Sequence, residues 1–544
     1  MSAGEENEYT KLVGPQCAPQ KQLAQLQEND AKHIMDKLRD DSGTGPDLLP
    51  ARILQNCSAA LAKPLLLLTM CILNCGLWPQ IWKQHWLAPL FKKKSVYNPG
   101  NYWGIHLTAQ LSKVVERMFK LLYYHYLASC SAFGPNQFAY TTGRGARDAL
   151  AILALTFVIA LGAGLKIAVY CSDVSGAFDR VRLERLVNKL RRKGIHPQIV
   201  AVLASWLQQR FAQVVVGGAT SKMMTLMNMV YQGTVSGPIL WNLFFEDARH
   251  AINETFFKEI VYADDLNAYR IFPSSSDNVA IKASLNNCQQ ELHKWRAANQ
   301  VAFDSGKESQ HVLSLTDPLG DTFKLLGVTF DSELSMAESI SELVSAAGWK
   351  LRTLLRTRRF YTDADLVVLY KAHLLSYLEY RTPAIYHATR AILRRLDAVQ
   401  TRFLKDIGVD EVTALNKFHL APLTTRRDIA MLGLIHRTAM GKGPAQFMVF
   451  FKRDPHSKAL HDPRIDSNAP ITRRSALGLV AIYNMLPPSV LGSKTVSAFQ
   501  RSLQECVVKF ALSEYPQWAE VFSPRIPLVS HPIMLHPQVM TSPL

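Results

Sequence analysis

Short apolar runs separated by tight turns mark the middle of the chain. Residues 256–261 and 266–272 are two such runs, and the short segment 262–265 lies between them. Apolar runs of this length around a tight turn predict a β-hairpin. A third run, residues 167–171, is followed by polar residues and predicts another strand. The pattern therefore places strands of a sheet at the centre of the sequence.

Segments with helical spacing flank these strands. Residues 53–90 have apolar positions spaced for two helices, and residues 180–209 are also helical in pattern. Residues 211–216 predict a strand that turns at the following Gly-Gly pair. Residues 149–165 contain no charged residue over seventeen positions, which is shorter than the roughly 20 residues needed to span a membrane. We expect this segment to form a buried helix and a turn.

Beyond residue 331 the pattern becomes helical. Thr362 and Asp365 have the spacing of a capping box, and apolar positions at helical intervals follow them. Residues 392–407 predict a second helix with one apolar face. The basic residues of that helix lie at the other positions: Arg390, Arg394, Arg395, Arg402 and Lys405. Such a face is usually solvated surface, and it is also the kind of face that contacts a polyanion.

The composition is that of a globular protein, with 48% hydrophobic and 19% charged residues, but the formal net charge is +17. Such a charge favours a polyanionic partner, because each neutralised phosphate releases a condensed counterion. A membrane surface would also attract it, so charge alone does not decide. The eight cysteines are too scattered for a zinc site, and Cys71 and Cys75 are expected to be buried helix residues. Residues 1–9 are not a secretory signal, which favours an intracellular location, nuclear or cytoplasmic.

Three carboxylates stand where the predicted strands end. Asp264 and Asp265 lie in the hairpin turn, and Asp173 follows the strand of residues 167–171. Carboxylates from separate strand ends suit hard cations such as Mg²⁺, and two such ions can clamp the attacking and leaving oxygens of a phosphoryl transfer. An isolated Asp-Asp pair after an apolar strand is often only a solvated turn, so its neighbours in the sequence carry the argument.

Those neighbours resemble the motifs of reverse transcriptases from non-LTR (LINE-type) retrotransposons. Residues 173–179, 232–238 and 262–265 are similar to three successive palm motifs of that family. Further similar motifs lie before and after them, in the family's order: residues 88–93, 101–105, 137–140, Lys307 and 325–328.

The resemblance implies an α+β fold of the right-hand polymerase type, with fingers, a palm built on an antiparallel sheet, a helical thumb and a C-terminal helical tail. The expected boundaries are a polar leader over 1–45, fingers and palm over 46–335, the thumb over 336–445 and a tail of unknown role over 446–544. The segment before the fingers is too short for the endonuclease of LINE-type elements. We therefore expect a polymerase region without endonuclease, from a longer element or a truncated copy.

The resemblance also implies the activity, which is RNA-directed DNA synthesis. A primer 3′-hydroxyl attacks a deoxynucleoside triphosphate on an RNA template, with two Mg²⁺ ions as cofactors and Mn²⁺ as an alternative. Asp173 and Asp264 are the expected principal ligands, with Asp265 weaker and the carbonyl of Val174 joining them. Lys307 is the expected partner of the departing pyrophosphate, although a loop lysine is equally often plain surface.

Other residues are assigned to the substrates by the same resemblance. Phe178 stands where an aromatic ring excludes a 2′-hydroxyl, with a core phenylalanine as the alternative, and the remaining nucleotide-binding candidates are Lys92, Lys93, Gln232 and Gly233. The candidates for contact with the RNA template and DNA primer are Arg394, Arg395 and Arg402. No membrane partner is expected, and the sequence does not set an oligomeric state.

One departure from the family pattern keeps a second hypothesis open. Trp103 stands where the family usually has an arginine that grips phosphate oxygens. Loss of that charge is the kind of change that a decaying copy accumulates. The alternative is therefore a catalytically decayed remnant that only binds nucleic acid.

Overall fold

The computed structural model describes residues 17–92, 94–227, 229–454 and 459–541, and it has an α+β architecture, as predicted. Within these residues the chain forms two interleaved units. The first takes the described residues up to Tyr140, with Ser172–Leu266 and Asn286–Glu308. The second takes Thr141–Cys171, Asn267–Leu285 and the described residues from Ser309 onward.

The strands of the described residues form three sheets. They are β1 (Gln84–Phe91), β2 (Tyr102–Leu107), β3 (Lys166–Asp173), β4 (Arg210–Val216), β5 (Ala219–Thr220), β6 (Met224–Leu226), β7 (Lys258–Tyr262), β8 (Asp265–Phe272), β9 (Ser309–Leu313), β10 (Phe323–Leu325) and β11 (Val328–Phe330). The sheet orders are β2-β1-β4-β5 with β6 also paired to β4, β7-β8-β3-β9, and β10-β11. The predicted strands at residues 167–171 and 211–216 and the hairpin at 256–272 are thereby confirmed.

The sheet of the first unit contains one parallel pair. β1 runs antiparallel to β2, with Leu90 opposite Trp103, and parallel to β4. β4 turns into β5 at Gly217 and Gly218, whose φ angles are 56° and 83°. Glycine adopts this left-handed region without the Cβ penalty, which explains why the Gly-Gly pair ends the strand.

The central strand β3 is buried along almost its whole length, and only Asp173 at its end is half-buried. It pairs antiparallel with β9, with Ile167 opposite Leu313. A strand covered on both faces reads as a continuous apolar run, which is the pattern that predicted it. The strand is therefore buried up to Asp173, whose carboxylate lies at its half-buried end.

The helices occupy the remainder of the two units. They are α1 (Glu28–Asp36), α2 (Ala51–Asn56), α3 (Ser58–Cys75), α4 (Gln110–Ser129), α5 (Ala146–Gly162), α6 (Leu183–Arg192), α7 (Pro197–Leu207), α8 (Gly237–Phe245), α9 (Ala248–Asn253), α10 (Asn278–Asn299), α11 (Ala337–Arg356), α12 (Asp363–Tyr370), α13 (Ser376–Tyr380), α14 (Thr382–Ile385), α15 (Arg390–Ile407), α16 (Glu411–Phe418), α17 (Leu423–Ala439), α18 (Pro470–Arg473), α19 (Leu479–Asn484), α20 (Pro488–Leu491), α21 (Val496–Leu512), α22 (Pro532–Leu535) and α23 (Pro537–Thr541).

Two apolar helices differ in how they are covered. α5 is buried along most of its length, as predicted. Among the described residues α3 alone has the length and composition that could cross a membrane, and one third of it is buried. A core helix of a soluble protein passes the same test, so this is weak support for a membrane segment. The prediction that Cys71 and Cys75 are buried is wrong, because α3 packs through another face and leaves both exposed.

In the second unit the predicted capping box is present. The Thr362 hydroxyl accepts from the Asp365 N–H at 3.3 Å, and the Asp365 carboxylate accepts from the Thr362 N–H at 3.1 Å. The helix that follows continues through a π-helical turn, Lys371–Leu375, into α13. α15 buries Leu396 and Phe403, which confirms the predicted apolar face.

The C-terminal segment packs onto earlier helices of the same unit. The ring of Phe499 on α21 stacks on His436 of α17 with centroids 4.0 Å apart. Gly162, the last residue of α5, approaches α18 so closely that an added Cβ would lie 2.7 Å from the Thr472 hydroxyl. Described residues after 446, such as Thr472 and Phe499, therefore contribute to the packing of this unit.

Candidate active site

The turn of the β7–β8 hairpin is fixed by buried side chains. Ala263 has φ +59°, an unusual conformation for a residue with a Cβ. Its carbonyl accepts from Trp241 Nε1 at 3.0 Å and from Gln137 Nε2 at 3.3 Å, and its N–H donates to Gln137 Oε1 at 3.0 Å. These three hydrogen bonds offset the strain of the turn and hold the two residues that follow it.

Those residues are Asp264 and Asp265, and the structure brings both close to Asp173. Burial, followed by the charge of Asp173, raises the pKa of Asp264 to about 6. Burial and then the charges of Asp173 and Asp264 raise the pKa of Asp265 to about 7. Carboxylates that raise each other's pKa repel one another at short range, so this cluster attracts positive charge.

Lys307 supplies one such charge. Its ammonium donates to Oδ2 of Asp173 and lies 3.8 Å from Oδ2 of Asp304. Burial lowers the pKa of Lys307, but the hydrogen bond and charge of Asp173 outweigh burial and raise it. The loop is tied to the end of β3, because the Asp304 N–H donates to the Asp173 carbonyl at 2.9 Å. The predicted lysine therefore meets the predicted carboxylate.

The cluster fits a divalent cation by its chemistry. Its donors are hard carboxylate oxygens, and their mutual repulsion is the kind that a bound cation relieves. Val174, whose carbonyl is the further candidate ligand, is buried and pairs with Phe303 in an isolated bridge. Within the described part of the chain, no group of three His, Cys, Asp or Glu side chains is already arranged around a metal position. In this structure the three carboxylates lie near one another, and the ammonium of Lys307 is hydrogen-bonded to Asp173.

Phe178 lies beside this turn through a shared aromatic partner. Its ring stacks on Trp241 with centroids 5.7 Å apart and planes inclined by 20°. Trp241 is the same residue that donates to the Ala263 carbonyl. Phe178 is only 6% exposed, and its carbonyl accepts from the Val230 N–H at 2.9 Å. Phe178, the candidate residue for sugar selection, and the turn that carries the carboxylates therefore both contact Trp241.

The segment with Gln232 and Gly233 packs against β2. The Gln232 carbonyl accepts from the His106 N–H at 2.8 Å. Gly233 has φ +95°, and an added Cβ would lie 2.8 Å from the His106 carbonyl oxygen. Both observations require glycine at this position. Gly233 is exposed, so its backbone is open to approach.

The basic loop after β1 is solvent-exposed at Lys92, and Lys93 lies outside the residues that the structure describes. Lys92 Nζ lies 5.3 Å from the ring centroid of Trp103, in cation–π range. Burial raises the pKa of Asp179, and the charge of Lys92 opposes that shift. Lys92 therefore lies within electrostatic reach of the segment that carries Phe178.

The three arginines proposed to contact nucleic acid lie on α15 in the second unit, and all are exposed. Arg395 Nη2 donates to the Ser341 hydroxyl at 2.9 Å, and Arg402 Nε lies 3.7 Å from Oδ2 of Asp406. Arg394 lines a small pocket on the same helix. Pairs this exposed contribute little to stability, which leaves the charges available to solvent and ligands.

The sequence did not assign a role to Gln137 or Trp241. Gln137 lies in residues 137–140, which carried the family resemblance but no stated function. Trp241 lies in an apolar helix, and its sequence context gives no signal of a contact with Ala263, 22 positions away. Only the fold brings both side chains to the turn.

Carboxylates from a buried strand end and a hairpin turn, with an adjacent lysine on an α+β scaffold, are the kind of groups that metal-dependent nucleotidyl transfer uses. Residues 91–330 match the family described as reverse transcriptase (RNA-dependent DNA polymerase), and this range contains every candidate of the carboxylate cluster.

Relatives with similar sequences are polymerases of mobile elements. The chain is 24% identical over 404 residues to the RNA-directed DNA polymerase from mobile element jockey of Drosophila melanogaster, covering 70% of this chain and 43% of that protein. The jockey protein of Drosophila funebris is 23% identical over the same shares. The probable RNA-directed DNA polymerase from transposon BS of Drosophila melanogaster is 27% identical over 205 residues, which are 36% of this chain and 22% of that protein.

The predicted resemblance is confirmed. Residues 91–330 match the reverse transcriptase family, and the relatives with similar sequences are RNA-directed DNA polymerases of mobile elements. The chain spans less than half the length of the jockey proteins that it matches.

Proposed function

We propose that this protein extends a DNA primer on an RNA template, adding deoxynucleotides to the primer 3′-hydroxyl. The observation that carries the proposal is the meeting of Asp173, Asp264 and Asp265 at the end of β3, inside the region that matches reverse transcriptases. The substrates and partners are an RNA template, a DNA primer and deoxynucleoside triphosphates. The proposed setting is intracellular.

The carboxylates hold the divalent cations of the reaction. When bound, such cations neutralise charge on the triphosphate and orient the attacking and leaving oxygens; Mg²⁺ is the proposed ion, with Mn²⁺ as a substitute. Asp173 and Asp264 are the principal ligands, Asp265 is a weaker one, and the carbonyl of Val174 completes the set. Gln137 and Trp241 hold the turn, so that little reorganisation is needed when the substrates arrive.

Lys307 changes partners in this proposal. In the structure its ammonium neutralises Asp173. With a cation held by the carboxylates, the Lys307 ammonium would no longer be needed to neutralise Asp173 and would be able to donate to the oxygens of the departing pyrophosphate. Lys92 and Lys93 are assigned to binding of the incoming triphosphate, and Phe178 to contact with its sugar.

The larger assignments follow the family. Fingers and palm take residues 46–335, the thumb takes 336–445, and the exposed arginines of α15 contact the phosphate backbone of the template–primer. Such contacts position the duplex without reading its sequence.

A primer-extension assay tests the proposal. The full chain is given a labelled DNA primer annealed to an RNA template, with deoxynucleotides and either Mg²⁺ or Mn²⁺. Extension that requires the divalent ion and stops in Asp264→Asn supports the proposal. Extension that Asp264→Asn leaves intact contradicts the site assignment.

A second candidate function is nucleic-acid binding without synthesis. The observation in its favour is Trp103, which is 46% exposed and carries no charge where the family usually has arginine. Tight binding of template–primer with no extension in either metal, and with Trp103→Arg failing to restore extension, would favour this candidate.

A further inference from the structure

A cavity of about 560 Å³ lies in the C-terminal part of the second unit, among residues to which no role has been assigned. It is bounded by two segments, residues 462–474 and 524–528. Its volume is in the range of ligand sites, about 300–1,000 Å³. The charged side chains of its lining are Asp462, Arg464, Arg473, Arg474 and Arg525.

The lining has an excess of positive charge. Among the described residues of the lining, Asp462 is the only one with a carboxylate, and that group is engaged by Arg464, whose Nη2 lies 2.6 Å from Oδ2. Among the described residues no carboxylate forms an ion pair with the other three arginines. Burial and then the charge of Arg525 lower the pKa of Arg474, which shows that the guanidinium groups lie close enough to repel one another.

Those three arginines are held by neutral acceptors. Arg474 Nε donates to the His387 carbonyl at 2.6 Å, Arg525 Nη2 donates to the Ala388 carbonyl at 3.2 Å, and Arg473 donates to the amide oxygen of Asn468. Such bonds orient a guanidinium without neutralising it. Their remaining N–H groups stay available to an anion in the cavity.

Arg525 also has a buried donor without a partner. Its Nε makes no hydrogen bond within the described part of the chain. A buried donor without a partner is unfavourable, and an acceptor that reaches it would satisfy it. Phosphate oxygens suit several arginines at once, because the planar guanidinium binds them bidentately.

The remaining lining decides between a free phosphate and a larger ligand. Ile465, Pro470, Pro527 and Leu528 give the cavity apolar walls. A free phosphate has no use for apolar surface, whereas the sugars and bases of a nucleic-acid strand do. Arginines combined with apolar walls therefore fit a strand better than an isolated anion.

We infer that this cavity, the C-terminal arginine cavity, binds the phosphodiester backbone of single-stranded RNA, separately from the carboxylate cluster and from α15. The choice of RNA rests on the proposed function, in which the template is RNA. The cavity itself recognises phosphate groups and reads no sequence.

The test measures binding of a labelled, unstructured RNA oligonucleotide to the full chain by fluorescence anisotropy over a range of salt. Arg473→Gln removes an exposed guanidinium of the lining, and Arg525→Lys keeps the charge while removing the bidentate fork. We expect Arg473→Gln to weaken binding about tenfold and to reduce the salt slope by about 0.7 for each lost contact. Asp462→Asn frees Arg464 and should tighten binding.

The matched control is Arg501→Gln, which removes an exposed arginine of α21 that does not line the cavity and should leave RNA affinity unchanged. Thermal unfolding of each variant checks that it is folded. If Arg525→Lys does not fold, Arg473→Gln and Asp462→Asn still test whether the cavity binds RNA. Equal affinity in Arg473→Gln, Asp462→Asn and Arg501→Gln overturns the inference.

Competition separates the sources of phosphate. Inorganic phosphate and pyrophosphate at millimolar concentration should displace the RNA poorly, because they cannot use the apolar walls. Displacement by pyrophosphate at the same phosphate concentration as unlabelled RNA overturns the RNA assignment in favour of a small-anion site. The assay requires no extension, so failure of the polymerase proposal and failure of this one remain distinguishable: an inactive chain can still show the Arg473 effect.

Discussion

Asp173 and Asp264 lead to the sharpest prediction at the residue scale. Asp173→Ala or Asp264→Ala should reduce extension by at least about a thousandfold, as expected for loss of metal-centred charge stabilisation, while template–primer affinity stays within about twofold. Asp265→Ala should cost less than either. Steady-state extension rates and anisotropy on the same preparations measure the two effects.

Glu254→Gln is the matched control, because it removes an exposed carboxylate of the first unit outside the cluster. It should behave as wild type. Near wild-type extension in Asp264→Ala would remove that residue from the metal site, whereas loss of template binding in both alanine variants would show that the carboxylates support the fold.

Gln137 is expected to act on the reaction only through the turn that it holds. Gln137→Leu removes two of the three side-chain hydrogen bonds on Ala263 and should lower kcat about tenfold or more, since small displacements of catalytic groups are costly. The KM for deoxynucleotides should change little. Single-nucleotide incorporation kinetics measure the split between kcat and KM.

Asn136→Ala distinguishes positioning from general stability. Asn136 donates to Glu259 at 3.1 Å on the same segment, and its substitution leaves both hydrogen bonds between Gln137 and Ala263 in place. If both variants lose kcat in proportion to their loss of thermal stability, Gln137 has only a structural role. Gln137→Glu keeps one acceptor for the Ala263 N–H and should retain part of the rate.

Phe178 decides the choice of sugar in the proposed reaction. Phe178→Val opens space below the ribose, and incorporation of ribonucleotides relative to deoxynucleotides should rise about tenfold or more, as expected when a steric exclusion of 1–3 kcal/mol is removed. Competition between the two nucleotides in one extension reaction measures the ratio. Phe178→Tyr keeps the ring and serves as the control. An unchanged ratio in Phe178→Val would assign the ring to the core that it shares with Trp241.

These residues also show how far local sequence determines the site. Asp173, Asp264 and Asp265 were identifiable because each follows an apolar strand and belongs to a motif of the family. Gln137 and Trp241 were not, because their contacts with Ala263 span 126 and 22 positions and depend on packing. A hydrogen bond between distant segments leaves no periodic trace in the sequence.

At the scale of elements, α15 carries the prediction for the nucleic-acid duplex. Replacing Arg394, Arg395 and Arg402 with Gln should weaken template–primer binding and flatten the slope of log affinity against log salt by up to about one unit per lost phosphate contact. The control replaces three exposed basic residues of the first unit with Gln: Lys21, Lys37 and Arg52. An equal change of slope in both triple variants would mean that net charge alone is responsible.

Elements with strong local signals were predicted well. The capping box at Thr362 and the apolar stripe of α15 follow from spacing within a few turns of helix. The prediction that Cys71 and Cys75 are buried was wrong for the opposite reason. Composition marks α3 as apolar, but which face of a uniformly apolar helix packs inward depends on its neighbours.

At the scale of the whole molecule, stability should depend on the protonation of Asp428. Burial raises the pKa of this carboxyl to about 6, and the Tyr386 hydroxyl that donates to it only partly offsets that effect. A group whose pKa is higher in the folded state stabilises the fold below its unfolded pKa near 4, and that contribution is lost as pH rises through about 6.

The measurement is the unfolding free energy of wild type minus that of Asp428→Asn, from pH 4 to pH 8. This difference should fall with rising pH by up to about 3 kcal/mol, since one pKa unit corresponds to about 1.4 kcal/mol. Asp321→Asn, at an exposed position of the same unit, is the reference substitution. A flat difference for Asp428 would mean that its proton affinity is the same in the folded and unfolded chain.

The packing of α5 against α18 has a consequence for the synthesis of the chain on the ribosome. Gly162 and the residues near Ile471 that cover it are separated by about 310 positions. At about 5–20 residues per second, translation needs roughly 15–60 s to make the second partner after the first has emerged. During that interval α5, which has almost no charged residues, is not yet covered by α18. We therefore expect an incomplete chain to bind chaperones, or to aggregate where chaperones are scarce.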